Sequence, residues 1–424
     1  MPERPEASEL GPSWPESRTQ LSRQQNFRQF LGSHVLNETG AAATQVVLPL
    51  TAVLALGASA WEMGLLQAAN YAAYLVLGLP AGAWVERMRP RRVMISADLV
   101  RFVALLSLPL AWAAGLLSLP LIYLVALLLG TAQLFGDIAD HTYLPHLTGG
   151  SGLIEGNSRL QLVRSGSELG GPGVGGLCVQ WLGAQAALIA NAAASALSAV
   201  LLWRIALPDA DPAPARGGLA GQIGQGVTFL LRHRVLRALA LSASLNNLVF
   251  SAIFALDVVF LTTVVGLPSG AVGILLASGA AGALLGARIA PRLSRAFGGA
   301  RVALFAVPAA APWVFLIPLT GNGWMVALFA LGHVAIAVGV TVFDIMQVSY
   351  RQRACPPHLL SRMTAMFRFA VWGAAPLGAV FGGALAELLG VRTALWSLAT
   401  ALLIVSPVLL LSPLRRMREF DDGS

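Results

Sequence analysis

Twelve apolar runs, each close to the length that crosses a bilayer, constrain what this chain can fold into. They lie near residues 29–56, 62–84, 93–115, 119–141, 161–182, 184–207, 238–264, 270–290, 301–319, 324–347, 364–389 and 393–412. A hydrocarbon core of roughly 30 Å needs about 20 apolar residues per helix. A helix is also one of only two backbone forms that satisfy every N–H and C=O inside lipid. The chain is 56% hydrophobic and 11% charged, with mean hydropathy +0.71, against about a quarter charged in soluble domains. The spacing predicts an all-α membrane protein of twelve transmembrane helices.

Charge gives the orientation. All 28 basic residues are Arg, because the chain has no Lys. With the runs laid alternately across a membrane, 27 Arg fall at one set of loops, tails and span ends, and only Arg392 falls at the other. This is the positive-inside pattern, and it predicts both termini in the cytoplasm. The net charge of +8 and pI near 10.6 then follow from topology and anionic headgroups, so no nucleic-acid partner is expected. Abundant Ala, Gly and Arg without Lys suggest a GC-rich bacterial genome, hence a bacterial cytoplasmic (inner) membrane. Residues 1–27 carry no apolar core of a signal peptide and read as a disordered tail.

The linker PDADPAPARGG at 208–218 stops the sixth helix. The amphipathic stretch after it reads as a short interfacial helix. The expected organisation is a cytoplasmic tail (1–27), a six-helix bundle (28–207), a cytoplasmic linker with an interfacial helix (208–237), a second six-helix bundle (238–413) and a C-terminal tail (414–424). The two halves resemble each other. Gly82 and Gly286 are 204 apart, as are Pro172 and Pro376. LGAQAAL at 182–188 matches LGVRTAL at 389–395, and Asp137-Ile138 matches Asp344-Ile345, both shifted by 207. Leu36-Asn37 matches Leu245-Asn246, shifted by 209. Such repeats predict two pseudo-symmetric bundles with a small-molecule site at their interface.

Several segments resemble a known family. GAWVERMRPRR at 82–92 resembles the loop signature of the major facilitator superfamily: Gly82, the acid–Arg pair Glu86-Arg87, then a basic cluster that includes Arg91. Glu stands where Asp is more usual, and Arg89-Pro90 where Gly-Arg is usual. GPGVGG at 171–176, with Gly171, Pro172, Gly175 and Gly176, looks like the second half of the superfamily's antiporter motif; Ser167 stands where the first half has Gly. DLVR at 98–101, YLPHL…LIEGNSRLQ within 143–162, SYRQRACPPHLLSRM at 349–363 and FRFAVWGAAPLGAVFGG at 367–383 are similar to the enterobactin-exporter-like and macrolide-efflux-like branch. The resemblance implies alternating access and proton-coupled efflux by a monomer, without naming a substrate.

Acidic residues inside the spans are few, and each is costly unless paired, solvated or protonated. Glu38, well inside span one, is the leading proton-coupling candidate; its repeat counterpart is the neutral Asn247. Glu168, one turn from Arg164, and Asp257, without an evident basic partner, are further candidates. Asp137 and Asp344 sit at the arginine-rich ends of spans four and ten. Each is expected to clamp the basic loop of its own half (Arg87 to Arg92, and Arg288, Arg292 and Arg295) in the outward-facing state, as a gate that breaks when the inner side opens, or else to form a static ion pair. Gln45, Asn70, Tyr71, Tyr74, Asn247, Phe250, Phe254, Phe343 and Trp372 are candidates to line a cavity, or else to pack between helices.

Other chemistries lack their residues. GPGVGG also satisfies the spacing of a dinucleotide-binding loop, but no strand precedes it; close helix packing in lipid explains it better. A phosphate-binding loop needs a Lys. Neither a zinc-protease motif nor a serine-nucleophile elbow is present, and His141 and His146 have no ligand spacing. No enzymatic activity, cofactor or metal is expected. An importer or uniporter on the same fold, or a non-transporting scaffold, are the competing readings.

Overall fold

The computed structural model describes residues 16–206 and 219–417; the remainder of the tails and of the linker lies outside the described residues. The elements are α1 (Glu16–Leu56), α2 (Ala60–Glu86), α3 (Pro90–Ala113), α4 (Leu119–Trp203), α5 (Leu219–Arg232), α6 (Arg234–Val259), α7 (Ser269–Phe297), α8 (Gly299–Ala310), α9 (Val326–Ala354), α10 (Pro357–Leu389) and α11 (Val391–Val405). A π-helical turn, Phe260–Val264, prolongs α6, and 3-10 turns prolong α8 to Leu316 and α11 to Leu411. No strand occurs among the described residues. At 85 residues, α4 would be roughly 130 Å long if straight, about four bilayer cores. It therefore doubles back and holds spans four, five and six. Gly183, at φ 84°, makes one of the reversals in a conformation that only Gly adopts readily. With α1 to α3 and α6 to α11, the twelve expected spans are accounted for.

Helices run further than hydropathy suggests. α1 begins at Glu16, so the tail expected to be disordered to residue 27 is helical from there. Asn26 is buried, and its Oδ1 accepts from the Ala206 backbone N–H at 3.1 Å, which ties this extension to the end of span six. α9 runs to Ala354, leaving only Cys355 and Pro356 before α10. Arg and Gln are good helix formers in water. Apolarity marks the part of a helix in lipid and is blind to its aqueous continuation. The interfacial helix appears as α5, packed on α10 and α6.

Pseudo-symmetry is visible in single contacts. A Cβ on Gly175 would stand 2.8 Å from the carbonyl oxygen of Ala43 on α1, and one on Gly382 would stand 2.6 Å from that of Ala252 on α6. The glycines are 207 apart and the alanines 209 apart. A Cβ on Gly176 would lie 2.9 Å from the Gly273 Cα of α7, and one on Gly383 3.0 Å from the Gly64 Cα of α2. Again the offsets are 207 and 209. Each half thus uses one glycine to seat a helix of its own and the next glycine to seat a helix of the other half. In this register Pro172 and Pro376, 204 apart, are not counterparts; they fall nearly one turn out of step.

The core is divided unequally. At the arginine-poor end one apolar cluster spans both halves, including Leu50, Leu105, Ile122 and Leu188 with Leu256, Phe260, Val272 and Leu398. Toward the arginine-rich end the packing splits into a cluster around Phe30, Tyr143 and Leu202 and another around Leu236, Leu304, Phe343 and Met363. The halves share one core at one end and have separate cores at the other, where Leu79 of α2 still packs on the second cluster, and a cavity lies below the shared core.

Candidate functional site

The cavity has a volume of ≈ 210 Å3 and is lined mostly by the N-terminal half, with Arg368 and Trp372 of α10 facing it from the other. Its floor is polar because α1, α3 and α4 turn their few hydrophilic residues inward; an apolar bilayer leaves them nowhere else to go. Arg101 of α3 is the hub. Its Nη1 donates to Asn37 Oδ1 at 2.8 Å and to Asp98 Oδ1 at 3.4 Å, and its Nη2 donates to Gln133 Oε1 at 2.7 Å. Asp98, 1% exposed, also accepts from Ser198 Oγ at 2.7 Å. Gln133 passes the chain on, donating from Nε2 to Asp137 Oδ1 at 2.7 Å. The Tyr74 hydroxyl reaches Asp137 Oδ2 at 3.5 Å. The charge of Arg101 is thus matched by Asp98, while the hydrogen bonds to Asp137 come from neutral donors.

A second group of charges surrounds Glu38. His34, one turn away on α1, places Nε2 3.8 Å from Glu38 Oε1 and Nδ1 3.2 Å from Asp140 Oδ2. Arg164 Nε lies 3.4 Å from Glu168 Oε1, the pair expected from their spacing. Arg164, Glu38, Asp137 and Glu168 all line the cavity. Its upper wall is aromatic. Trp372 stacks on Tyr71 with ring centroids 5.7 Å apart and lies 6.0 Å from the ring of Tyr74. Among the described residues no group of three His, Cys, Asp or Glu is placed to hold a metal.

Eight of the expected residues converge here: Glu38, Glu168, Asp137, Gln45, Asn70, Tyr71, Tyr74 and Trp372 all line the cavity. Others are elsewhere. Asn247 donates from Nδ2 to the Val371 carbonyl at 2.7 Å and so ties α6 to α10. Phe250 packs against the apolar clusters, as does Phe343. Phe254 is 48% exposed and edge-on to His333. Asp257 has a partner that its sequence neighbourhood does not reveal: His333 Nε2 of α9, 3.2 Å from Oδ2, with both residues buried.

Among the described residues Asp137 and Asp344 bond side chains other than the basic loops, unlike the expected static pairs. Because α4 and α9 continue past them, Asp137 and Asp344 lie within helices and not at their ends. Asp137 faces the cavity, and Asp344 accepts from Gln347 Nε2 at 3.5 Å. Arg91 donates from Nε to the Leu202 carbonyl at 2.8 Å and from Nη2 to that of Trp203, closing the end of span six. Arg87 is the exposed C-cap of α2. A Cβ on Gly82 would meet nothing within 4 Å. The side chain of Glu86 lies outside the described residues, as do those of His141 and His146. In GPGVGG, Gly171 and Gly175 face α1 and Gly176 faces α7.

Sequence reading passed over His34, Asp98, Arg101, Gln133 and Asp140 as site residues. His34 and Glu38 at i,i+4, and Asp98 and Arg101 at i,i+3, were the available signals. Their meeting with α4 depends on tertiary packing.

The model of the Major Facilitator Superfamily matches residues 30–375. The multidrug efflux pump Tap of Mycolicibacterium fortuitum is 27% identical over 398 residues, covering 91% of this chain and 94% of that protein. An uncharacterized MFS-type transporter, y4rN, of Sinorhizobium fredii is 28% identical over 348 residues, covering 77% of this chain and 82% of that one. Among solved structures, a bacterial homologue of the iron transporter ferroportin in an inward-facing state superposes with TM-score 0.74 at 16% identity, covering 92% of this chain and 98% of that one. That last likeness is one of fold.

Proposed function

The chain belongs to the Major Facilitator Superfamily, and from that premise we propose that it is a proton-coupled antiporter exporting a hydrophobic or amphipathic small molecule by alternating access. It works as a monomer in a bacterial inner membrane with both termini in the cytoplasm. Outward direction is supported by the similarity to a multidrug efflux pump along 91% of the chain. The aromatic wall of Tyr71, Tyr74 and Trp372 suits a flat apolar solute. The shared core at the arginine-poor end is the closed outer gate, and the cavity belongs to the cytoplasmic side.

One observation carries the coupling. Glu38 is in the cavity wall, and His34 stands between it and Asp140, 3.8 Å from the first and 3.2 Å from the second. A proton taken up by Glu38 has a route along one turn of α1 to a second carboxylate. The equivalent position of the other half is Asn247, so the relay is one-sided. Moving one charge through 100 mV supplies about 2.3 kcal/mol, which sustains roughly a fortyfold gradient of a neutral solute.

The test uses inverted membrane vesicles with an amphipathic fluorescent dye. An acid interior is expected to drive dye accumulation by the wild type and not by Glu38→Gln. Accumulation by Glu38→Gln that still follows the imposed pH gradient removes Glu38 from the mechanism. A dependence on the opposite gradient reverses the direction.

A further inference from the structure

We infer that the C-terminal half carries a binding groove for an anionic phospholipid, on the arginine-rich side of the membrane. The groove has a volume of ≈ 560 Å3 and lies between α7, α8 and α9. That is within the range of small-molecule sites, about 300–1,000 Å3. It shares no lining residue with the central cavity and is not part of the transport path described above. Its walls are apolar, with Phe297, Phe305 and Trp313 each more than half exposed along it. On a membrane-spanning fold such surface faces lipid, so the trough is open to acyl chains.

The single charged residue in the lining is Arg301. It is exposed and has no hydrogen-bond or ion-pair partner among the described residues. It sits in the first turn of α8, whose N-cap, Gly298, provides no side-chain hydrogen bond. Arg suits phosphate. Arg301 thus presents a phosphate-binding group at one mouth of an oily trough. From Arg301 the lining continues to Trp313, a rise of roughly 18 Å along the helix. Half of a hydrocarbon core of roughly 30 Å is about 15 Å, so the trough has the depth of one leaflet. A headgroup at Arg301 and an acyl chain reaching toward Trp313 fill it. No carboxylate lines it and Arg301 adds a positive charge, so an anionic headgroup such as phosphatidylglycerol is preferred to a zwitterionic one.

Native mass spectrometry of the purified full chain tests this, with phosphatidylglycerol and phosphatidylcholine of identical acyl chains. The wild type is expected to retain phosphatidylglycerol in preference to phosphatidylcholine. Arg301→Ala is expected to weaken the phosphatidylglycerol complex by about fivefold and to erase the preference. Ala309→Trp, which plugs the trough and leaves Arg301 in place, is expected to lose both lipids. A melting curve for each variant confirms that it is folded. Glycerol phosphate, the headgroup without tails, is expected to compete poorly. Equal retention of both lipids by the wild type, unchanged retention by Arg301→Ala in folded protein, or effective competition by glycerol phosphate would each overturn the assignment. So would displacement of the lipid by an exported dye, which would give the groove to an apolar solute.

Discussion

Gly176→Ala is expected to loosen the packing between the halves. The new Cβ would stand 2.5 Å from the Ser269 carbonyl oxygen, 0.9 Å inside the 3.4 Å at which ordinary contact begins, and 2.9 Å from the Gly273 Cα. Both obstacles are backbone, so no rotamer change relieves them, and α4 and α7 must separate. The nearby hydrogen bond from the Gly270 N–H to Gln180 Oε1, 2.9 Å, stretches with them. Overpacking of this sort costs about 1–3 kcal/mol, which is about five- to 150-fold in a two-state equilibrium. The state closed at the arginine-poor end is expected to bear that cost, because there the two helices touch at this glycine. Gly173→Ala is the control. It lies in the same motif and helix and makes the same change in helix propensity, but its Cβ meets nothing within 4 Å. Nitroxide labels at Leu116→Cys and Trp324→Cys, both exposed at the arginine-poor end, report the opening by double electron–electron resonance after Cys178 and Cys355 are replaced by Ser. The longer distance is expected to gain population in Gly176→Ala and not in Gly173→Ala. Identical distance distributions for the two variants would refute the packing account.

Asp98→Asn leaves Arg101, 8% exposed, with only neutral partners, and an unmatched buried charge costs about 3–5 kcal/mol; a lower melting temperature, partly restored by adding Arg101→Gln, is expected. His233 caps α6 by accepting the Leu236 backbone N–H at 3.4 Å, and burial holds its pKa below the ordinary value. The unfolded chain therefore binds the proton first: this contribution to stability is present above about pH 6.5 and is lost as the pH falls below it. His233→Asn is expected to flatten the melting temperature across that window. Trp372→Ala removes the C-terminal half's ring from the cavity wall, and dye affinity in a fluorescence titration is expected to fall about two- to tenfold, the worth of an aromatic contact.

Much of this protein was legible before any coordinates. Apolar length and the one-sided distribution of Arg predict twelve helices and their alternation, because lipid leaves the backbone no other way to bond and a membrane gives each loop only two sides. The internal repeat was legible too, through LGAQAAL, Asp137-Ile138 and Leu36-Asn37. Gln45, Asn70, Tyr74 and Trp372 were identifiable as cavity candidates, and Glu38 as a coupling candidate, because polar and aromatic side chains in an apolar span need a reason to be there; the same reasoning also named Asn247, Phe250, Phe254 and Phe343, which do not line the cavity.

What only the tertiary structure decided is which residues meet. Asp98, Arg101 and Gln133 are spread over two spans and join Asn37 on a third. Asp257 finds His333 on another helix, 76 positions away. Asp137 and Asp344 turn out to lie inside helices whose aqueous extensions hydropathy cannot see. The repeat register needed the structure as well, since in a chain rich in Ala, Gly and Leu a shift of 204 and one of 207 look alike on paper, and only the close approach of Gly176 to Gly273 and of Gly383 to Gly64 separates them. Periodicity and composition report how each helix stands toward lipid. The choice of neighbour is made by surface shape at distances of 3 Å, which a linear pattern does not encode.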